Sequence, residues 1–294
     1  LLTNTADFNV VIAPGFNDPD NNYEVLNAKG VSQLKDLLAS GTDLSKKDVI
    51  VDLNGETMDS NIALNAHSVA VENGTVDASQ LSAKAEEGVT LRNVKLAGSF
   101  PKASSNARVI VETAGDVVVD GLDYTGATDG YNPLEINLRN VVSKNITVKN
   151  CKFANFTNNA MSVFGMAEGG VLNIENNTFD LAKTSEAVRI SNKTNTKFTI
   201  NVKDCSYTYP SDATGQWVGF FLFEDYTSTA AEVNTAMQFK NLTINVDNVT
   251  FDGAKVTELN LFSGARNQFA CMCYDNLQGL IVTDATHFPT FTFK

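Results

Sequence analysis

The segment Ile146-Thr-Val148-Lys-Asn150-Cys151-Lys-Phe153 decides how this chain is read. Two apolar residues alternate with polar ones, an Asn follows, and a small residue and an aromatic close the phrase. The same phrase returns as Leu172-Asn-Ile174-Glu-Asn176-Asn177-Thr-Phe179, Ile200-Asn-Val202-Lys-Asp204-Cys205-Ser-Tyr207 and Ile244-Asn-Val246-Asp-Asn248-Val249-Thr-Phe251. Upstream copies end at Tyr124, Leu96 and Val76 and carry Gly121, Asn93 and Asn73 at the marker position. The markers fall at 73, 93, 121, 150, 176, 204 and 248, so the steps are 20, 28, 29, 26, 28 and 44. A period of this size with one long step is the signature of a solenoid with a loop insertion, here placed at about 208–238.

Alternation with period two, carried by Val, Ile, Thr and Phe, argues strand. A leucine-rich repeat has a similar period, but its leucine consensus is missing. A second strand-like run separates most phrases: Arg108–Glu112, Leu134–Leu138, Met161–Phe164, Val188–Ser191 and Trp217–Phe223. Each coil therefore carries at least two strands joined by sharp corners. Asn suits such a corner because it tolerates left-handed backbone and bonds its own chain nearby. Stacked coils then predict an Asn/Asp ladder through 150, 176, 204 and 248 and an aromatic ladder through Phe153, Phe179, Tyr207 and Phe251. The 33 asparagines among 294 residues follow from that architecture.

Composition narrows the function classes. The formal charge of −12 would repel nucleic acid and anionic membrane surfaces. No apolar run reaches the roughly 18–20 residues that span a bilayer, so membrane insertion is not expected. Four cysteines make no disulfide framework. Cys151 and Cys205 take equivalent positions two coils apart, too far to pair, and read as small core residues. Cys271-Met-Cys273 lacks zinc-ligand spacing, and His67 and His287 have no patterned acid or nucleophile beside them.

These phrases resemble the right-handed parallel β-helix of the pectate-lyase-like superfamily over about residues 45–262. The resemblance implies an all-β, single-domain chain over 1–294. Residues 1–44 would be a lead-in and capping helix, 45–262 the coils and 263–294 a C-terminal cap. In the helix, Ser32 is the expected N-cap, Leu34, Leu37 and Leu38 the apolar stripe, and Gly41 the stop. The superfamily mixes lyases, hydrolases, phage tailspikes and non-catalytic surface proteins, so it speaks for fold more than for function.

Function in such a coil lies on an outward face or in its loops. If Leu134, Ile136 and Leu138 point inward, Glu135, Asn137 and Arg139 point outward, followed by Ser162 and Phe164 and then Arg189 and Ser191. Nearby carboxylates are Glu135, Glu186, Glu224 and Asp225. Adjacent coils lie about 4.8 Å apart, so pairs of these could meet the roughly 5–10 Å separation of glycosidase carboxyl groups. Trp217, Phe221 and Tyr226, beside Phe223, form a candidate platform for sugar rings. Arg139 and Arg189 are the bases a pectate-lyase likeness would call on, with calcium as the one ion that chemistry requires. Of the polygalacturonase motifs only Arg189-Ile190-Ser191 retains a part.

The expectation is a secreted or surface-displayed bacterial protein that binds a polysaccharide or other glycan, without strong catalysis and with no cofactor. A glycoside hydrolase and a structural phage fibre or capsid-decorating protein are the alternatives. Monomer and trimer both remain open.

Overall fold

The structure is a computed structural model that describes residues 23–100, 107–128, 131–138, 141–183, 185–191, 196–213, 218–225, 239–274, 280–281 and 285–294. It is mostly β, a long and mostly parallel sheet not closed into a barrel, with one α-helix among the described residues. Its strands form three parallel ladders, as expected of a β-solenoid. The first runs from Glu24–Lys29 through Lys47–Asp52, Asp116–Asp120, Ser143–Lys149, Met166–Glu175, Thr199–Lys203 and Thr243–Asp247 to Thr290–Phe293. The second includes Asp123–Thr128, Lys152–Phe153, Thr178–Asp180, Ser206–Thr208 and Thr250–Phe251. The third includes Val109–Thr113, Leu134–Ile136, Asn159–Val163, Glu186–Ile190, Gly219–Asp225 and Ala270–Tyr274. The long strands Ile62–Asp77 and Leu81–Ser99 contribute to all three.

Stacking puts equivalent side chains on top of one another. Val49, Val69, Val89, Val117, Ile146, Leu172, Ile200 and Ile244 form one unbroken inner row of the first ladder, all buried. Each such side chain gains roughly 1.5–3 kcal/mol from burial. Phe153 and Phe179 stack with centroids 5.3 Å apart and planes at 5°, and Tyr207 meets Phe251 at 5.0 Å.

The corner between the first and second ladders turns on one left-handed residue. Asn73, Asn93, Asn150, Asn176, Asp204 and Asn248 all sit there at φ between 51° and 58°. Left-handed backbone costs most L-residues about 1–2 kcal/mol, and Asn and Asp are the side chains that visit it routinely after Gly. Each Asn Nδ2 donates along the stack: Asn150 to Asp120, Asn176 to Asn150 and Asn248 to Asp204, each at 2.7 Å. Where the marker is Gly121, φ is 77° and a Cβ would fall 2.8 Å from Asn93 Oδ1, so both backbone and space select Gly.

Two asparagine devices were not expected. Asn201 donates to Asn173 and Asn245 to Asn201, a second ladder on the outer side of the first sheet. Asn177, between Cys151 and Cys205, accepts from the Cys151 amide at 2.8 Å and donates to the Val148 carbonyl at 2.9 Å. It occupies an apolar row because it satisfies two buried backbone groups.

Several sequence boundaries move. The first strand, Glu24–Lys29, precedes the helix and pairs with Lys47–Asp52, so stacking starts well before 45. The helix spans Gly30–Ala39 and Ser32 lies inside it rather than capping it. Its N-terminus is served by Glu56, whose Oε2 accepts from the Val31 amide at 2.8 Å, and Gly30 leaves room for that carboxylate. Leu34 is buried, and Leu37 and Leu38 pack on the same core, as the stripe predicted. At the other end, Ala270–Tyr274 and Thr290–Phe293 continue the third and first ladders, so parallel stacking does not stop at 262. The 208–238 segment contains the strand Gly219–Asp225, while 214–217 and 226–238 lie outside the described residues.

Candidate functional site

The third sheet has one outward row that the register fixes residue by residue: Ala63, Ser82, Ile110, Glu135, Ser162, Arg189, Leu222 and Cys271. Glu135 and Arg189 thus lie on one face, two coils apart with Ser162 between them, as alternation predicted. Arg189 Nε is 2.5 Å from Glu224 Oε2, and its guanidinium lies 5.4 Å from the centre of the Phe164 ring. Glu135, Arg189 and Glu224 are all buried, so this ion pair is shielded from salt.

Glu186 is placed differently. It shares a register row with Asn159 and Gly219, on the parity of the core residues Val188 and Ile190. A chain of amides joins it to Glu135. Asn132 Nδ2 donates to Glu135 Oε1 at 2.8 Å; Asn132 Oδ1 accepts from Asn158 Nδ2 at 2.9 Å and from the Asn159 amide at 3.2 Å; Asn159 Nδ2 donates to Glu186 Oε2 at 2.7 Å. Burial pushes the Glu186 carboxyl well above the usual carboxylate range, and the charge of Glu224 pushes it further. Burial also raises Glu135, against the Asn132 hydrogen bond and the Arg189 charge, and Glu112 adds to the rise. Three of the four expected carboxylates therefore belong to one buried polar network, each held by a protein partner.

A different part of the same sheet is open. A cavity of about 310 Å³ lies over the earlier coils, lined by Ser45, Asn65, Ala66, Lys84, Ala85, Glu86, Glu112, Thr113 and Val141. Asn65 and Lys84 are register partners, as are Lys84 and Glu112, so the three follow one another along the stack. Lys84 Nζ and Glu112 Oε2 are 2.8 Å apart, with side chains 30% and 8% exposed. Lys84 and Glu112 were not among the expected site residues. Extending the inward/outward parity of Leu81 and Val109 to their own strands would have found them.

The remaining expected residues are accounted for as follows. Phe221 does not offer a platform: it pairs with Val188 in the inward row, is fully buried, and packs against Phe220, Phe223 and Phe269. Phe220 is likewise a core residue, packed against Phe179, Tyr207 and Phe269, while the register places Leu222 in the outward row with Arg189. Arg139, Trp217 and Tyr226 lie outside the described residues. Asp225 ends its strand opposite Tyr274, with its side chain likewise outside the description.

His67 is buried, with Nδ1 2.8 Å from Asp48 Oδ1 and its ring stacked on Tyr23 at 3.6 Å. Cys151 and Cys205 are free, buried thiols pushed up to about 12 by desolvation. No group of three or more His, Cys, Asp or Glu side chains is gathered to hold a metal ion among the described residues. No protein-family model, curated protein or solved structure matches the chain.

Proposed function

We propose that this is a right-handed β-helix protein of the pectate-lyase-like kind, capped at its N-terminal end by the Gly30–Ala39 helix, that binds carbohydrate without turning it over. Right-handedness is the usual sense of connections between parallel strands. The observation that carries the function is the cavity around Asn65, Lys84 and Glu112. It sets an amide, an ammonium–carboxylate pair and the Ser45 hydroxyl beside the apolar surface of Ala85 and Val141. A sugar ring needs both: polar groups for its hydroxyls and an apolar wall for its CH face. A secreted or surface location belongs to the same reading, since polymeric glycans are met outside the bacterial cell. Retention of the full chain on a panel of immobilised polysaccharides tests it, with Lys84→Ala and Glu112→Ala expected to release bound chain. Silence across a broad panel would end the reading.

One observation favours a second reading, a glycoside hydrolase. Burial and the charge of Glu224 push the Glu186 carboxyl well above the usual carboxylate range, while Glu224 lies against Arg189, and a carboxyl that favours its proton beside an ion-paired carboxylate is the pairing such an enzyme uses. New reducing ends from the same panel, abolished by Glu186→Gln with binding retained, would establish it. Calcium-dependent unsaturated products would point to a lyase instead.

A further inference from the structure

The charge balance of the cavity determines which sugars it accepts. Among the described lining residues the one cation, Lys84, is already paired with Glu112 at 2.8 Å. A second carboxylate, Glu86, also lines the cavity, and the charge of Glu112 reaches Glu135 in the next coil. The described lining therefore carries one positive and two negative side chains. The Glu112 carboxylate is the more buried partner and the Lys84 ammonium the more exposed, so a ligand meets the ammonium with a carboxylate directly behind it.

A ligand carboxylate brought to Lys84 would sit against Glu112 and Glu86 in a partly desolvated recess, where like charges repel strongly. An uncharged sugar meets no such penalty. One hydroxyl can accept from the Lys84 ammonium while its neighbour donates to Glu112, so the ion pair grips a vicinal diol without being broken. Asn65, next along the stack, adds an amide at the strand spacing of about 4.8 Å. The volume of about 310 Å³ is at the lower end for ligand sites and suits one or two sugar units.

We infer that this cavity is a subsite for uncharged sugars and that Glu112 is the residue that excludes acidic ones. The inference rests on the carbohydrate-binding reading and names its substrate class. The test is calorimetric titration of the full chain with neutral oligosaccharides of glucose, xylose and N-acetylglucosamine and with oligogalacturonate. Wild type and Glu112→Gln are compared at two salt concentrations.

Wild type should favour a neutral series over the uronate by on the order of tenfold or more. Glu112→Gln, of the same shape but uncharged, should release Lys84 for a ligand carboxylate and raise uronate affinity by about tenfold, with the gain shrinking at high salt. Glu86→Gln, at an exposed position, should shift the ratio the same way by less, and it serves if Glu112→Gln fails to fold. Equal affinity of wild type for both classes would overturn the inference, as would an unchanged ratio in a folded Glu112→Gln chain. Both results leave the carbohydrate reading standing. Absence of any sugar binding by wild type would overturn both.

Discussion

The inner rows of the solenoid and the outward row of its third sheet are built on the same spacing, yet one is written in a repeating residue type and the other is not. From Val49 to Ile244 every member of the inner row is a branched aliphatic. The outward row runs through Ala63, Ser82, Ile110, Glu135, Ser162, Arg189, Leu222 and Cys271. Identical neighbours stack well when they are apolar, aromatic or amide, because each complements its copy. Identical charges would repel, so a charged face must alternate sign between coils, as Lys84 with Glu112 and Arg189 with Glu224 do. The repeat therefore reports the scaffold, and departures from it report the face that meets other molecules.

That contrast can be broken most severely in the core. Phe221→Ala should cost about 3–5 kcal/mol in a denaturant titration while glycan retention per folded molecule stays unchanged. Lost retention with intact stability would restore Phe221 as a platform. On the outward row, Arg189→Met removes the cation beside the buried Glu224 carboxylate and should also cost about 3–5 kcal/mol, whereas joint replacement of Arg189 and Glu224 by Met should be close to neutral. A double variant as damaged as the single one would show that the pair itself stabilises the fold. At the corner, Asn176→Ala removes the bond to Asn150 and places Ala at φ 52°, an expected loss of about 1–3 kcal/mol; Asn176→Gly should lose less.

The smallest expected effect is a dependence on pH. The folded state holds the Glu186 proton to a pH above its unfolded value of about 4.5, so it binds more protons than the unfolded chain in that window. Stability from this group is full below the unfolded pKa and falls as pH rises toward the folded one. Melting temperatures of Glu186→Gln should fall less steeply than wild type on the alkaline side of that window. Parallel curves would show that Glu186 ionises normally.

How much of this was legible follows from which contacts are local. The marker positions 73 to 248 could be read because one residue type answers both a left-handed corner and a stacking neighbour. The parity of Glu135, Ser162 and Arg189 followed from simple alternation beside the clear coils. The register of Gly219–Asp225 did not, because Phe220 to Phe223 is apolar on both sides and the 44-residue step removes the ruler. The last strands pass without an Asn corner after Asn248, so stacking seemed to fade where it continues. The helix start was hidden because its N-terminal amide is served by Glu56, 25 residues away. Lys84 and Glu112 were missed because their pairing exists only once two coils are laid side by side.

The most direct test of the central claim is a titration of the isotopically labelled full chain with a neutral oligosaccharide that it retains, followed by amide chemical shifts. The account predicts that the largest changes gather at Asn65, Lys84, Glu86, Glu112 and Thr113 around the cavity. Changes centred instead on Glu135, Glu186, Arg189 and Glu224 would contradict it and move the site to the buried network.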